Sequence, residues 1–231
     1  MKPALCIIVP VLDEAVRLGA FLDRLQPLRH RGVRLVIVDG GSSDASVAIA
    51  RPRADIVFQA PRGRAAQMNA GAAACRSEAL LFLHADTTLP DDAERWVLEA
   101  LANRAGWGRF DVRIDDARLP FRLVEALMNV RSRLSGIATG DQALFVRRDL
   151  FEAVGGFPEI ALMEDIALAR VLKRRGRPAC LRARVVTSAR RWDRYGIWRT
   201  IALMWWLRAS YFFGADPARL ALIYARGGRE R

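Results

Sequence analysis

Residues 34–46 read RLVIVDGGSSDAS. A short apolar run ends on Asp39, two glycines and two serines follow, and a helix is expected to begin near Asp44. This is a buried strand, a tight turn and a helix start. The glycines let a ligand approach the backbone closely. The serine hydroxyls lie near a helix N-terminus, where anions are favoured. Asp39 is placed to accept a base N–H or a ribose hydroxyl of a nucleotide. The same residues also satisfy a simpler reading, a glycine-rich turn with Asp44 as helix cap. No GxGxxG occurs, so this is not the dinucleotide fingerprint.

The pattern repeats on both sides. LCIIV (5–9) reads as a strand, and residues 14–26 place Ala15, Leu18, Leu22 and Leu25 at helical spacing. Downstream come a strand DIVF (55–58), an alanine-rich helix at about 64–75, a strand LLFLH (80–84) and a helix opened by Asp91-Asp92. Alternating strands and helices predict an α/β fold, with one doubly wound, mostly parallel sheet and helices on both faces. Ligands bind such sheets at the carboxyl ends of the strands. Polar groups stand there in the sequence: Asp13-Glu14, Asp39 to Ser43, and His84-Ala85-Asp86. The second half reads as a strand GRFDVRI (108–114) with one wet face, a helix over 121–134, a strand ALFV, a helix from Glu164-Asp165 to about Arg175, a strand near 179–187 and two C-terminal helices.

Composition sets the class. The chain has 231 residues, 52% apolar and 27% charged, which is globular. The net charge of +12 is uneven: residues 1–172 hold 22 basic and 22 acidic side chains, and residues 173–231 hold 15 and 3. A neutral body with one basic segment argues against a nucleic-acid coat. Cys6, Cys75 and Cys180 lie far apart without a CxxC pair, so a reduced compartment is expected and neither a disulfide framework nor a zinc site. No signal peptide is expected, because the first apolar run is short and closed by Pro10. The late apolar segment 197–213 is broken by Arg199 and Arg208 and falls short of a membrane span.

Four further clusters carry chemistry. In LLFLHADTTLP (80–90) a buried strand delivers Asp86 to the sheet edge, where a carboxylate plus substrate phosphates suits a hard divalent cation. In PRGRAAQMNAG (61–71) Arg62 and Arg64 crowd a helix N-terminus, which points to a facing anion. Glu164-Asp165 either complements a helix dipole or supplies a general base. In SARRWDRYGIWR (188–199) Arg190, Arg191 and Trp192 join cationic forks to an aromatic face suited to phosphate.

Taken in order, these segments resemble the family-2 inverting glycosyltransferases of the GT-A fold, over nearly the whole chain. IIVPVLDEA looks like the family's opening strand, VDGGSSDAS its nucleotide-binding turn, and HADT its DXD metal motif. GDQALFVRRDLFEAVGGFPE with MEDIALARVLKRRG resembles the acceptor region, and SARRW resembles a shortened QxxRW motif. PRGRAAQMNAG, HADT and GDQ with MED resemble most the subgroup described as radical-SAM/selenodomain-associated. The resemblance implies a nucleotide pocket lined by Pro10, Leu12, Glu14, Asp39, Gly41, Ser43, Arg64, Asn69 and Ala85. It places Asp86 on a metal, Mg or Mn, with His84 in the position where the motif has its first aspartate. It makes Asp165 the catalytic base with Glu164 beside it, and sets Arg190, Arg191 and Trp192 on the diphosphate or acceptor. The implied donor is a nucleotide sugar, usually UDP-linked in this family, and the implied acceptor is a hydroxyl. An imidazole is a poorer ligand than a carboxylate for a hard cation, so weak metal affinity or a ribose contact is expected at His84.

The implied organisation is one domain, with a nucleotide-binding half (1–104), an acceptor half (105–189) and basic, aromatic C-terminal helices (190–231). A nucleotidyltransferase lacks support, because VPVLDEA is no lysine-containing glycine-rich loop. A haloacid-dehalogenase-type phosphatase needs an aspartate where His84 stands. A nucleic-acid-binding module in 173–231 leaves the carboxylates unexplained. Arginines among Trp198, Trp205, Trp206, Tyr211, Phe212 and Phe213 fit either a core-packing helix with snorkelling arginines, the reading given more weight, or a peripheral contact with an anionic membrane. A cytoplasmic location, with that contact at the inner membrane face, follows from the same reading.

Overall fold

The computed structural model describes residues 4–103 and 105–227, apart from the side chains at positions 191 and 194. Four parallel strands form one flank of a single sheet: β1 (Leu5–Val11), β2 (Arg34–Asp39), β3 (Ile56–Gln59) and β4 (Ala79–Phe82). Between them run α1 (Ala15–His30), a short α2 (Ser46–Ala50) and α3 (Arg64–Ala74). β1 is buried along nearly its whole length, because α1 covers one face and α3 the other. On the α3 side the approach is very close: a Cβ on Gly71 would meet Ile8 at 2.4 Å. The helix sits this low only because Gly71 has no side chain.

After β5 (Thr87–Thr88) and α4 (Ala93–Ala102), the chain adds β6 (Trp107–Ile114), α5 (Leu119–Ser135), β7 (Phe145–Arg147), α6 (Arg148–Ala153), α7 (Glu164–Arg175) and β8 (Ala179–Thr187). The strand order is β3-β2-β1-β4-β7-β6-β8-β5. The β4–β7, β7–β6 and β8–β5 pairs are antiparallel and β6–β8 is parallel. The expected mostly parallel sheet is present, and its antiparallel part lies in the second half. Three C-terminal helices, α8 (Arg190–Tyr195), α9 (Ile197–Phe212) and α10 (Pro217–Arg226), close the described chain. The third helix, the two-residue β5 and α6 exceed the expected elements.

Two expectations are corrected. The wet face of β6 is wet only at Arg113, which is exposed: Arg109 is fully buried and pairs with Asp111, which also takes Arg133 at 2.6 Å. The reason is α5, which lies over this face and turns its polar side chains inward. The Asn129 amide donates to Val112 O at 3.0 Å and its Oδ1 accepts from Val112 N at 2.9 Å, while Glu125 accepts from Ile114 N at 2.5 Å. The cysteine reading also fails. Cys6 in β1 and Cys75, just after α3, form a disulfide across 69 residues, with Cα atoms 6.6 Å apart. Spacing along the chain could not show it, because the packing of α3 on β1 creates the proximity. Cys180 is free and half-buried.

Candidate active site

The site forms where the parallel strands end. The loops after β1 and β2 are tied together there. Ser42 Oγ accepts from Asp13 N at 2.9 Å, Asp13 Oδ1 accepts from Ser43 N at 2.8 Å, and Asp44 accepts from Ala15 N at 3.0 Å. Buried Gln67 braces both strand ends by donating to Val11 O and Val38 O at 2.9 and 2.7 Å. Asp39 is buried, and its carboxylate accepts from Gly41 N at 2.9 Å and Ser42 N at 3.0 Å. These bonds fix the turn and leave further lone pairs on the carboxylate. Pro10 and Leu12 are half-buried beside this loop pair, and Gly41 and Ser43 are exposed on it.

β4 delivers His84 to a crowded position. A Cβ on Gly140 would meet the imidazole Cε1 at 2.4 Å and Nε2 at 2.5 Å, and Nδ1 lies 3.6 Å from Asp141. Burial disfavours the charged ring, but Asp141 and Asp86 outweigh it and hold His84 above its usual pKa. Asp141 stays below the usual carboxylate range despite its own desolvation, held down by His84, Arg64 and Arg208. Ala85 is partly buried against the core.

Charged pairs then join segments far apart in sequence. Arg190 lies 3.4 Å from Glu14 and 3.9 Å from Asp86, so it links the first, fourth and last motifs. Arg64, at the start of α3, meets Glu164, at the start of α7, at 3.1 Å. The anion that Arg64 faces is thus a carboxylate of the chain itself. Glu164 is buried, and desolvation pushes its pKa up against the pull of Arg64. Asp165 accepts from Gly140 N and Ile166 N, both at 2.7 Å. Its orientation is therefore set by backbone, and each oxygen keeps a second lone pair.

A cleft of about 990 Å³ opens beside these groups. Its charged end holds Arg64, His84, Asp86, Asp141, Arg190, Arg131 and Arg208. Its long walls are apolar: Leu123, Leu127 and Met128 from α5 face Trp192, Trp198 and Trp205 from α8 and α9.

Of the expected residues, Arg64, His84, Asp86, Arg190 and Trp192 line the cleft, whereas Pro10, Leu12, Glu14, Asp39, Gly41, Ser43, Ala85, Glu164 and Asp165 do not. Asn69 does not line it: its amide donates to Phe157 O at 2.8 Å and accepts from Phe157 N at 2.9 Å, bracing the turn before α7. Trp192 packs edge-on against Phe121 and belongs to the apolar wall. The Arg191 side chain lies outside the described residues. Sequence reading missed Asp141, Gln67, Arg131 and Arg208 as site residues. Gly140-Asp141 was visible as a turn before a strand, but only the fold brings it onto His84. Arg131 sits in a helix whose inward and outward faces the sequence does not distinguish.

A divalent cation fits the donor set in one form. Among the described residues no three candidate ligands converge. Asp86 and Asp141 both act on the His84 ring from the cleft. One or two carboxylates at an open cleft suit a hard cation that completes its shell with substrate phosphates and water.

This architecture is the GT-A fold. A mannosyltransferase from Pyrobaculum calidifontis, solved with GDP-Man and Mn2+, superposes with a TM-score of 0.68 at 20% identity, over 98% of this chain and 70% of that one. Residues 1–349 of TarS from S. aureus, solved with UDP-GlcNAc, give a TM-score of 0.65 at 17% identity, over 81% and 58%. The family model "Glycosyl transferase family 2" matches residues 6–154, and the chain belongs to that family. The succinoglycan biosynthesis protein ExoA of Rhizobium meliloti (strain 1021) is 37% identical over 109 residues. That match spans 43% of this chain and 33% of ExoA.

Proposed function

We propose that the chain transfers a sugar from a nucleotide-sugar donor to an acceptor hydroxyl with inversion, assisted by a divalent cation. The observation that carries this reading is the convergence of Glu14, Asp86, Asp141 and Arg190 at the strand ends, in a chain of this family. The loop pair around Asp39, Gly41 and Ser43 takes the nucleoside. Pro10, Leu12 and Ala85 flank it, with Glu14 holding Arg190 at its edge. Arg190 faces the diphosphate, and Arg64, held by Glu164, lies near the nucleotide.

Asp86 would hold the cation, Mg or Mn, with Asp141 and His84 beside it. When bound, the cation offsets negative charge on the leaving diphosphate. Asp165 accepts the proton of the acceptor hydroxyl. Its two backbone bonds hold it in one orientation, so the acceptor meets a pre-positioned base. Attack from the side of Asp165, opposite the departing diphosphate, gives inversion in one displacement. Arg190 stabilises the charge that develops on the leaving group. Solved neighbours were captured with GDP-Man and with UDP-GlcNAc, and a UDP-linked donor is the one we propose. We also propose membership of the radical-SAM/selenodomain-associated subgroup, which the motifs PRGRAAQMNAG, HADT and GDQ with MED resemble.

Among the described residues no helix is long and apolar enough to cross a membrane. The weightier expectation for the C-terminal aromatics, core packing, does not describe α9: only Thr200 and Leu207 are buried there, while Trp198, Trp205, Trp206 and Phe212 are exposed. We therefore place the activity at the inner, cytoplasmic face of an anionic membrane. The test of the activity is release of nucleoside diphosphate from a panel of nucleotide sugars, with and without manganese. Turnover that requires metal is expected. Neither turnover nor nucleoside diphosphate binding by calorimetry would overturn the reading.

A further inference from the structure

An apolar trough lies beside the charged site. One wall is α5. Its inward face mixes apolar Phe121 and Val124 with Glu125 and Asn129, which bond to β6, and Leu123 and Leu127, which line the cleft, are 57% and 47% exposed. The opposite wall carries Trp198 and Trp205, 69% and 62% exposed. Apolar surface of this extent marks a binding site rather than ordinary surface.

The inner end of the trough is cationic. Arg131 and Arg208 both line it. Arg131 has its Nε and one Nη buried without a hydrogen-bond partner. Burial, aided by Arg208, pushes its pKa down to about 10. Asp165 acts on Arg131, and Arg208 on Asp141, only through space. A buried guanidinium without a partner is costly and is relieved by an anion that fills its donor fork.

We propose that the acceptor is a phospholipid whose headgroup carries both a phosphate and a free hydroxyl, with its hydrocarbon chain in the trough and its phosphate on Arg131 and Arg208. This rests on the glycosyltransferase reading and supplies the acceptor class that reading leaves open. A water-soluble acceptor leaves the Trp198–Leu123 trough empty. A lipid without phosphate leaves the buried Arg131 nitrogens unpaired. The chemistry balances: the headgroup hydroxyl oxygen bonds to the anomeric carbon and yields its proton to Asp165. The anomeric carbon–oxygen bond to the diphosphate breaks, and its electron pair leaves with the nucleoside diphosphate. The exposed aromatics of α9 then sit at headgroup depth, where tryptophan is favoured.

The test uses short-chain lipids on the whole protein, read by tryptophan fluorescence and calorimetry. Dioctanoyl phosphatidylglycerol should bind roughly tenfold or more tightly than dioctanoylglycerol, which lacks the phosphate, or glycerol 3-phosphate, which lacks the chains, the gain expected of a charge-assisted contact plus a buried chain. Arg208→Gln should remove the preference for the phosphate-bearing lipid, and Leu123→Glu, at an exposed position, should remove the contribution of the chain. Both variants should melt with the wild type. Equal affinity for dioctanoylglycerol overturns the phosphate contact, and equal affinity for glycerol 3-phosphate overturns the chain contact. If wild type still binds nucleoside diphosphate in those cases, the transferase reading stands and only the lipid acceptor falls. Loss of nucleoside diphosphate binding as well overturns both.

Discussion

Asn69 separates a structural reading of the PRGRAAQMNAG segment from a ligand-binding one. The resemblance sets Asn69 near the nucleotide, but its amide is consumed by Phe157. It donates to the carbonyl at 2.8 Å and accepts from the N–H at 2.9 Å. Phe157 is 3% exposed and packs its ring on Phe82 and Phe151, so water cannot take over both backbone groups without opening that cluster. Asn69→Ala removes two bonds worth about 1 kcal/mol each and leaves two backbone groups short of partners, at about 1 kcal/mol or more apiece. The expected cost is therefore roughly 3 kcal/mol, discounted somewhat because Asn69 is only partly buried. For a chain of this size that lowers Tm by roughly 6–12 °C.

The assay is thermal unfolding alongside calorimetry with nucleoside diphosphate, at a temperature where the variant is folded. Tm should fall while affinity holds within about twofold, since both polar ends of the Asn69 amide are taken by Phe157. The turn that it braces runs into α7, so kcat should fall further than KM rises. An unchanged Tm with a large loss of nucleotide affinity would refute the reasoning and restore the ligand-contact reading.

Three other perturbations address the site and its frame. Asp165→Asn should lower transfer by about a hundredfold or more, the range for a positioned base, and leave donor affinity nearly unchanged; loss of donor binding would count against the base role. Gly140→Ala forces its new Cβ onto His84, 2.4 Å away, and should cost about 1–3 kcal/mol in overpacking with a larger fall in kcat; a fully active, equally stable variant would show that the imidazole moves freely. Reducing the Cys6–Cys75 bridge opens a loop spanning 69 residues and should destabilise the fold by about 4 kcal/mol on loop entropy; identical melting in oxidised and reduced samples would contradict that.

The parallel half of the fold was legible because each element there obeys one rule. LCIIV and RLVIVD are apolar runs buried on both faces, and each ends at a polar loop where the chain must turn. Those loops are the side of the site proposed for the nucleotide, so the residues of that side were legible too. The second half was not, because its patterns are shared between partners far apart. ALFV predicts a strand, and its last residues pair antiparallel with β4, which no local signal dictates. The Cys6–Cys75 bridge and the Asp141–His84 contact likewise exist only once α3 and the Gly140 turn are in place. Arg199 and Arg208, nine residues apart, fall on opposite faces of α9. Arg208 lines the active cleft, and Arg199 lines a separate hollow between α9 and α10.

α5 shows why helical period alone misleads about burial. Some of its apolar residues, Phe121 and Val124, face the core, yet Leu119, Leu123, Leu127 and Leu134 are exposed. The inward face is set by unmet backbone hydrogen bonds together with apolar area. The β6–β8 ladder shifts register between Phe110 and Asp111. Just beyond the shift, groups on Val112 and Ile114 take their partners from α5: Asn129 bonds both backbone groups of Val112, and Glu125 bonds the N–H of Ile114. A buried backbone group left unpaired costs about 1–3 kcal/mol, which several inward-facing polar side chains here offset. These leucines are thereby left facing out, beside the reactive carboxylates, where a soluble enzyme with a polar acceptor has no use for them. Replacing Asn129 and Glu125 with leucine would test this balance of forces. The variant should lose stability even though it buries more apolar surface, and a more stable protein would show that area alone had governed the orientation.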